Sequence, residues 1–398
     1  MVTVLQDIRV LDFGKFISCP FAAAMLADMG AEVIRIDRPG GEGDRFSGLT
    51  APHGENLAYA SHNRNKKNLS LDYMNREKAG PVIDALVRSA DVVMHNFSPA
   101  AAEMIGLTWE NLQAINPRII LTSITCYGSE GPYAARVGFD FIAQAMSGAM
   151  RAGGFPDKEP IRAFTNPYDY TTAMAAAMGT LAALRHRDQT GEGQQVDLSL
   201  LQTALATTAP FIAESEVLKT PRPIIGNRVA YSGPSDMYEA KDGFVFVATI
   251  MHSMWKRLAR ATGMEDLIDD PDLDTDLKRY QNRERIDPRM ARWVKERTVD
   301  EVLETLEAAR IPCSRVMELD EIRKDPHVQE MGMVPTSDLG VEGLEEVPIG
   351  GHPVRFSKTP AAIHSRAPRV GEHNDEILAG LPGFDSGRIQ RLQQEGII

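Results

Sequence analysis

The sequence predicts an α/β protein, with a large domain built on a parallel sheet covered by helices on both faces and a smaller α+β domain after it. Three observations carry this. Short apolar runs alternate with helical stretches from Ile8 to Ile124. After the Pro-rich stretch Thr220-Pro-Arg-Pro-Ile224 the pattern changes to one strand-like run followed by three helical stretches. From Met331 the chain turns rich in glycine and proline, yet it is too long for a plain linker.

The elements follow in order. Ile8 to Phe13 is a short apolar run, Pro20 to Met29 has helical composition with proline near its start and Gly30 after its end, and Glu32 to Asp37 is again strand-like. This is a β-α-β unit. Helix Asn75 to Arg88, strand Asp91 to His95, helix Trp109 to Ile115 and strand Ile119 to Ile124 continue it, so the first part is Rossmann-like. Two longer helices are predicted over Phe139 to Met150 and Tyr170 to Arg187, the second ending at the polar turn Asp188 to Gly193. In the second part, Phe244 to Thr249 is the strand, and His252 to Thr262, Asn282 to Arg297 and Val299 to Ala309 are the helices. The boundaries expected are 1–225 for the large domain with its linker, 226–325 for the small one, and 326–398 for a C-terminal segment returning to the large domain.

Composition narrows the function. The chain has 398 residues and 43% hydrophobic content, enough for one large or two smaller cores. Its 43 Lys and Arg against 55 Asp and Glu give a net charge of −12, which argues against a nucleic-acid or anionic-membrane binder. Any anionic ligand needs a local basic patch. Cys19, Cys126 and Cys313 are odd in number, far apart and outside any CxxC or Cys/His cluster, so reduced thiols in a cytoplasmic protein are expected, with no metal. The first nine residues show no signal-peptide pattern, and the small-and-apolar run Thr171 to Leu184 is too short to span a membrane.

Several common catalytic signatures are absent: no GxGxxG follows the first strand, and GxxxxGK[ST], GxSxG and HExxH are missing. This disfavours a dinucleotide dehydrogenase. The first strand-to-helix loop, Asp12-Phe-Gly-Lys-Phe-Ile-Ser-Cys-Pro20, carries one glycine; Gly40-Gly-Glu-Gly-Asp44 follows the second strand instead. Arg35, Arg38 and Arg45 flank that second loop, and His62-Asn-Arg-Asn-Lys-Lys-Asn68 adds three more cations. Such a cluster suits a phosphate-rich ligand, and equally a solvated charged surface.

Taken as an ordered set, Arg9-Val-Leu-Asp-Phe13, Ala27 to Asp37, Asn65-Lys-Lys-Asn-Leu-Ser-Leu-Asp72, Asn96-Phe97, Gly138-Phe-Asp-Phe-Ile-Ala-Gln144, Asp169 to Leu184, Thr190-Gly-Glu-Gly-Gln194 and Gly371-Glu-His-Asn374 resemble the class III CoA-transferases, the CaiB/BaiF family. The resemblance runs from about Asp7 to past Asn374. It implies that Asp169, in Pro167-Tyr-Asp-Tyr170, is the nucleophilic carboxylate; taken alone, an Asp at a helix start is an N-cap. It further implies Arg38, Asn65, Lys66 and Lys67 near the nucleotide phosphates of coenzyme A, Asn96 and Phe97 along its pantetheine or adenine, and Phe16 and Ile17 beside the thioester. Phe97 is equally readable as core, and Asp140, where relatives carry an acid near the reacting carbonyls, as part of a structural ion pair.

The implied activity is transfer of CoA from an acyl-CoA to a free carboxylic acid through aspartyl anhydride and aspartyl-CoA thioester intermediates on Asp169, with no permanently bound cofactor. The acceptor is expected to be a small dicarboxylate or a carnitine-like acid, Gly226 to Asp236 to act as a lid, and the assembly to be an interlocked homodimer. Formyl-CoA:oxalate transferases carry glutamine at the position of Ile17 and tyrosine at that of Phe139, so oxalate is disfavoured. The alternatives are a 2-methylacyl-CoA racemase and a CoA-binding protein without turnover. Racemases carry a histidine at the position of Phe139, and phenylalanine transfers no proton.

Overall fold

The computed structural model describes residues 3–51, 54, 56–219 and 222–398. Thr220 and Pro221 of the expected linker lie outside the described residues. By contact, the chain divides into two units, Met1–Ala149 with Arg162–Ala213 and Met331–Ile398, and Met150–Ile161 with Glu214–Glu330.

The first unit is built on six parallel strands: β1 (Arg9–Asp12), β2 (Glu32–Asp37), β3 (Lys66–Ser70), β4 (Val92–His95), β5 (Ile120–Thr125) and β6 (Gln195–Ser199), in the order β3-β2-β1-β4-β5-β6. Alternate strand residues face opposite cores. Leu11, Ile34, Ile36, Val93 and Leu121 join one buried cluster, Val10, Val33, Val92, Met94 and Ile120 the other, as the period of two requires. Its helices are α1 (Ser18–Asp28), α2 (Leu57–His62), α3 (Arg76–Ser89), α4 (Pro99–Ile105), α5 (Trp109–Ile115), α6 (Asp140–Met146), α8 (Pro167–Thr190) and α9 (Leu200–Leu218) as far as Ala213, while all but the first residue of a short α7 (Ala149–Ala152) and the end of α9 belong to the second unit. Alanines 22, 23, 173, 176 and 177 allow α1 and α8 to cover one face closely. On the other face, Ile83 and Leu86 of α3 and Leu112 of α5 meet Ile377 and Leu378 from helix Asn374–Ala379 of the C-terminal segment.

The second unit has a three-stranded antiparallel sheet, β7 (Asp236–Glu239), β8 (Phe244–Val247) and β9 (Cys313–Arg315), in that order. Helices α10 (His252–Thr262), α11 (Asp276–Gln281), α12 (Asp287–Lys295) and α13 (Val299–Ala308) accompany it. Trp255, Leu258, Met290, Val294, Val302 and Leu306 form its core with Val245 and Val247.

Most predicted elements stand, several to the residue. The helix predicted over Phe139 to Met150 ends at Met146. That over Asn282 to Arg297 begins only at Asp287, because Pro288 lacks an N–H and fits only a first helical turn, leaving Arg283–Arg285 as a 3₁₀ turn. Strands β3, β6, β7 and β9 and helix α9 are unforeseen, and β3 matters most, since its Lys-Lys-Asn start resembles a surface run. Among the described residues, no helix is long and apolar enough to cross a membrane.

Candidate active site

Sheet order reverses at β1, which pairs with β2 on one side and β4 on the other, so the loops leaving β1 and β4 diverge above a crevice at their C-terminal ends. Their residues interlock there. The Asn96 side chain accepts the Lys15 N–H at 2.8 Å and donates to the Lys15 carbonyl at 2.7 Å. Asp12 at the end of β1 accepts the Gly14 N–H at 2.8 Å. A side chain at Gly14 would stand 2.5 Å from the Cys19 sulfur and 2.7 Å from an Asp12 oxygen, so only glycine fits this turn. Phe16 has φ of +63°, unusual for a bulky residue, and its N–H donates to Asp44 at 3.0 Å. Fixed in this way, its ring stays exposed and packs edge-on against Phe139 at 6.0 Å between centroids. Ile17, half-buried, accepts the Phe21 N–H at 2.8 Å and leads into α1.

Asp169 lies in the first turn of α8. It does not cap that helix, and neither does the side chain of Asn166, which occupies the N-cap position. Asp140 takes the role from α6, one oxygen accepting the N–H groups of Tyr168 at 2.6 Å and Asp169 at 3.0 Å. Gln144 donates to the other Asp140 oxygen, and its own carbonyl accepts the Ala163 N–H at 2.8 Å. The Asp169 carboxylate is thereby left for other work. Burial first and the like charge of Asp140 second push its pKa up to about 7, against a hydrogen bond from Ser18 that favours ionisation. A carboxylate perturbed in this way at a crevice is the kind found at reacting centres.

Asp140 therefore has a structural task beside Asp169, as the acceptor of two backbone N–H groups rather than a member of an ion pair. Behind Asp169, the Tyr170 hydroxyl lies 3.0 Å from His62 Nε2. Burial, then Lys66 and Arg64, press the His62 pKa down to about 3, so this ring is no proton-transfer base at neutral pH.

The expected phosphate-binding cations are placed differently from expectation. Lys66 is buried, its ammonium 2.7 Å from Asp12 and 2.8 Å from both the Pro20 carbonyl and Asn63. Asn65 points inward, donating to Asp28 and the Ala362 carbonyl, each at 2.8 Å, and accepting the N–H groups of His364 and Ser365. Neither is presented to a ligand. Arg64 is paired with Asp28, and Arg35 with Asp37 and Asp44, all fully buried or nearly so. Lys67 is partly exposed and bridges Glu32 at 2.7 Å and Glu376 at 2.6 Å. The physical reason is β3: once this stretch runs beside β2, desolvated cations must meet carboxylates, supplied by Asp12 of β1, Asp28 of α1 and Glu32 of β2.

Arg38 remains half-exposed, 3.1 Å from Glu42. Glu42 also binds Lys15 at 2.8 Å; these cations and the Tyr73 hydroxyl hold its pKa down at about 2 despite its burial. The Lys15 ammonium lies 5.2 Å from the centre of the Phe97 ring, which is 9% exposed and packs on Tyr73 and His95. Lys15, Ser18 and Glu42 are the members that motif reasoning missed. Lys15 and Ser18 were signalled only by standing in the same loop as Phe16 and Ile17. Among the described residues, no group of three His, Cys, Asp or Glu is placed to hold a metal ion.

Beside this doubly wound sheet and its perturbed aspartate, the sequence itself matches a family model. The chain belongs to CoA-transferase family III, whose model matches residues 5–374, and is an enzyme of that class. It is 33% identical over 399 residues to the succinyl-CoA–D-citramalate CoA-transferase of Chloroflexus aurantiacus, covering 99% of this chain and 98% of the relative. It is 32% identical to the succinate–glutarate CoA-transferase of Agrobacterium fabrum, covering 95% of each. Among solved structures, a CaiB/BaiF family protein from Brucella suis superposes with a TM-score of 0.83 at 28% identity, over 95% of this chain and 99% of that one.

Proposed function

We propose that this chain moves CoA between an acyl-CoA and a free carboxylic acid with Asp169 as the covalent carrier. One observation carries the assignment: Asp140 caps α8, leaving the partly buried Asp169 free of that task and titrating close to neutrality. The ionised carboxylate is poorly solvated, and acylation makes it neutral, so its conversion to an anhydride relieves the unfavourable burial of charge.

The Asp169 oxygen attacks the donor thioester carbonyl, the C–S bond breaks, and CoA leaves as the thiolate with a mixed anhydride formed. The thiolate attacks the aspartyl carbonyl, releasing the donor acid and leaving aspartyl-CoA thioester. The acceptor carboxylate attacks that thioester, expelling CoA thiolate and forming a second anhydride. Attack of the thiolate on the acceptor carbonyl gives the new acyl-CoA and restores Asp169. Every intermediate stays at anhydride or thioester level, so the thioester's free energy is kept. Ser18 stands as the hydrogen-bond donor to the Asp169 carboxylate, and the Asn96 clamp on Lys15 fixes the loop of Phe16 and Ile17. Arg38 and Lys15 are the cations assigned to CoA phosphates, with Phe97 beneath its organic arm. Relatives whose names pair succinyl-CoA with citramalate or succinate with glutarate support succinyl-CoA as donor and a small dicarboxylate as acceptor. A carnitine-like acid remains the second choice of acceptor, in an interlocked homodimer in the cytoplasm.

The test is a panel of acyl-CoA donors, succinyl-CoA included, against organic acids, with products read by mass spectrometry for wild type, Asp169→Asn and Asp169→Ala. Both variants are expected to lose transfer by about three orders of magnitude or more while still binding CoA. With an ¹⁸O-labelled acceptor, label enters the Asp169 side chain during turnover. Near-normal transfer by both variants, or unlabelled Asp169 during active transfer, removes the nucleophile assignment.

A further inference from the structure

We propose that Arg35 and Asp44 are positioning residues, a buried ion pair that grips the main chain of Gly14 to Phe16 and so holds the Phe16 ring against the start of α6, where Asp140 caps the turn of Asp169. The proposal rests on the proposed role of Asp169. Gly14 to Phe16 lie between β1 and α1, outside the ladders of both, and side chains meet five of their main-chain groups instead. Asp12 accepts the Gly14 N–H at 2.8 Å, and Arg35 donates to the Gly14 carbonyl at 2.9 Å. Asn96 accepts the Lys15 N–H at 2.8 Å and donates to the Lys15 carbonyl at 2.7 Å. Asp44 accepts the Phe16 N–H at 3.0 Å. The grips on Gly14 O and on Phe16 N–H thus come from the two halves of one ion pair.

Arg35, on β2, is fully buried and uses all three of its nitrogens. Nε donates to Asp37 at 2.8 Å, Nη1 to the Gly14 carbonyl and to Asn63 at 3.1 Å, and Nη2 to the two Asp44 oxygens at 3.0 and 2.9 Å. Only a planar fork serves such a junction, since a lysine ammonium is a single point. The Asp44 oxygen 2.9 Å from Arg35 is the one that takes the Phe16 N–H, so the guanidinium aims the acceptor. Asp44 itself stands in the 3₁₀ turn Gly43–Arg45, its carbonyl held by Asn56 at 3.0 Å. The glycine-containing loop after the second strand therefore closes on the first loop, Glu42 binding the Lys15 side chain at 2.8 Å and Asp44 the Phe16 main chain. What the grip secures is a conformation the chain resists. Phe16 has φ of +63°, costly for a bulky side chain and kept only where the surroundings over-determine it. Its exposed ring stands edge-on to Phe139 at 6.0 Å, and Phe139 directly precedes Asp140, which accepts the Asp169 N–H at 3.0 Å. Without the Asp44 bond the residue relaxes towards negative φ, and its ring leaves Phe139.

The test uses Asp44→Ala, which removes the acceptor, and Asp44→Asn, which keeps one oxygen but sets an amide against Arg35 and serves alone should Asp44→Ala fail to accumulate. Phe16→Gly, which has no ring and adopts positive φ freely, is combined with each. Two readouts are taken: steady-state transfer kinetics, and hydrogen exchange read by mass spectrometry on the peptide covering Gly14 to Ser18, which needs no turnover. Asp44→Ala is expected to speed exchange in that peptide about tenfold, and Asp44→Asn about threefold, with β5 unchanged in both. Their kcat should fall by about the same factors, and KM for acyl-CoA should stay within about twofold because Lys15 keeps Asn96 and Glu42. In the Phe16→Gly background, where no ring is left to place, either substitution at Asp44 should lower kcat by less than about 1.5-fold, whereas a general loss of structure would multiply with the loss from Phe16→Gly. Unchanged kcat, unchanged exchange, or multiplying losses would overturn the proposal. Turnover surviving in Asp169→Asn would instead overturn the nucleophile assignment, with hydrogen exchange still reporting whether the ion pair holds the loop.

Discussion

Replacing Asp169 by asparagine should stabilise the protein above neutral pH. The substitution keeps the size of the side chain and an oxygen to accept from Ser18, and removes only the charge. The Asp169 pKa stands at about 7 in the fold, against an ordinary carboxyl value of 3.8. Its ionised form is thus disfavoured by folding, and the stability contributed by the neutral form is fully present only below the unfolded value. As pH rises from about 4 to about 7 the native state holds a proton that the unfolded state has lost, and stability falls by about 1.4 kcal/mol per pH unit. The whole interval amounts to about 4 kcal/mol, lost once Asp169 is ionised in both states. Asparagine has no such slope. The stability difference between Asp169→Asn and wild type should therefore grow by about 1.4 kcal/mol per unit between pH 5 and 7 and level off above it. Urea or thermal denaturation of both proteins across pH 5 to about 8.5 measures this directly. A gain of equal size at every pH, or a less stable variant at pH 8, would refute a partly desolvated carboxylate forced to ionise for catalysis.

Three further outcomes follow from the same contacts. Asp140→Asn removes the like charge beside Asp169, so the acidic limb of kcat/KM should move below about 7; its amide also sets an N–H against the Gln144 donor, costing about 1 kcal/mol in denaturation. An unmoved limb would leave burial alone as the cause of the raised pKa. Lys66→Met leaves Asp12 charged and unpaired in the interior and should cost about 3–5 kcal/mol, with CoA affinity of the folded protein unchanged; tenfold weaker CoA binding at wild-type stability would return Lys66 to the ligand site. Arg38→Ala should weaken CoA binding several-fold at low salt and much less at high salt, measured by calorimetry, because its guanidinium is half-exposed and screened.

The β-α-β order, the parallel sheet and the smaller unit with its own helices were legible because period-two and helical patterns are local properties of the chain. The family was legible through the ordered motifs, which also singled out Asp169 as the candidate nucleophile. Partnership was not. Lys66 lies 54 residues from Asp12, and Asp140 lies 29 from the N–H it caps, separations that no local pattern records. Six cations near the second strand look alike in one dimension. Only the tertiary structure turned Arg64 and Lys66 inward and left Arg38 outside, because β3 docks on β2 and brings them within reach of buried carboxylates. The surroundings of Asp169 were decided in the same way. A carboxylate at a helix start is a cap or a nucleophile according to whether another group takes the cap, and Asp140 does so only because α6 and α8 meet in space. Sequence determines which charges exist, and the fold decides which are neutralised, since the cost of desolvation depends on distances that only packing sets.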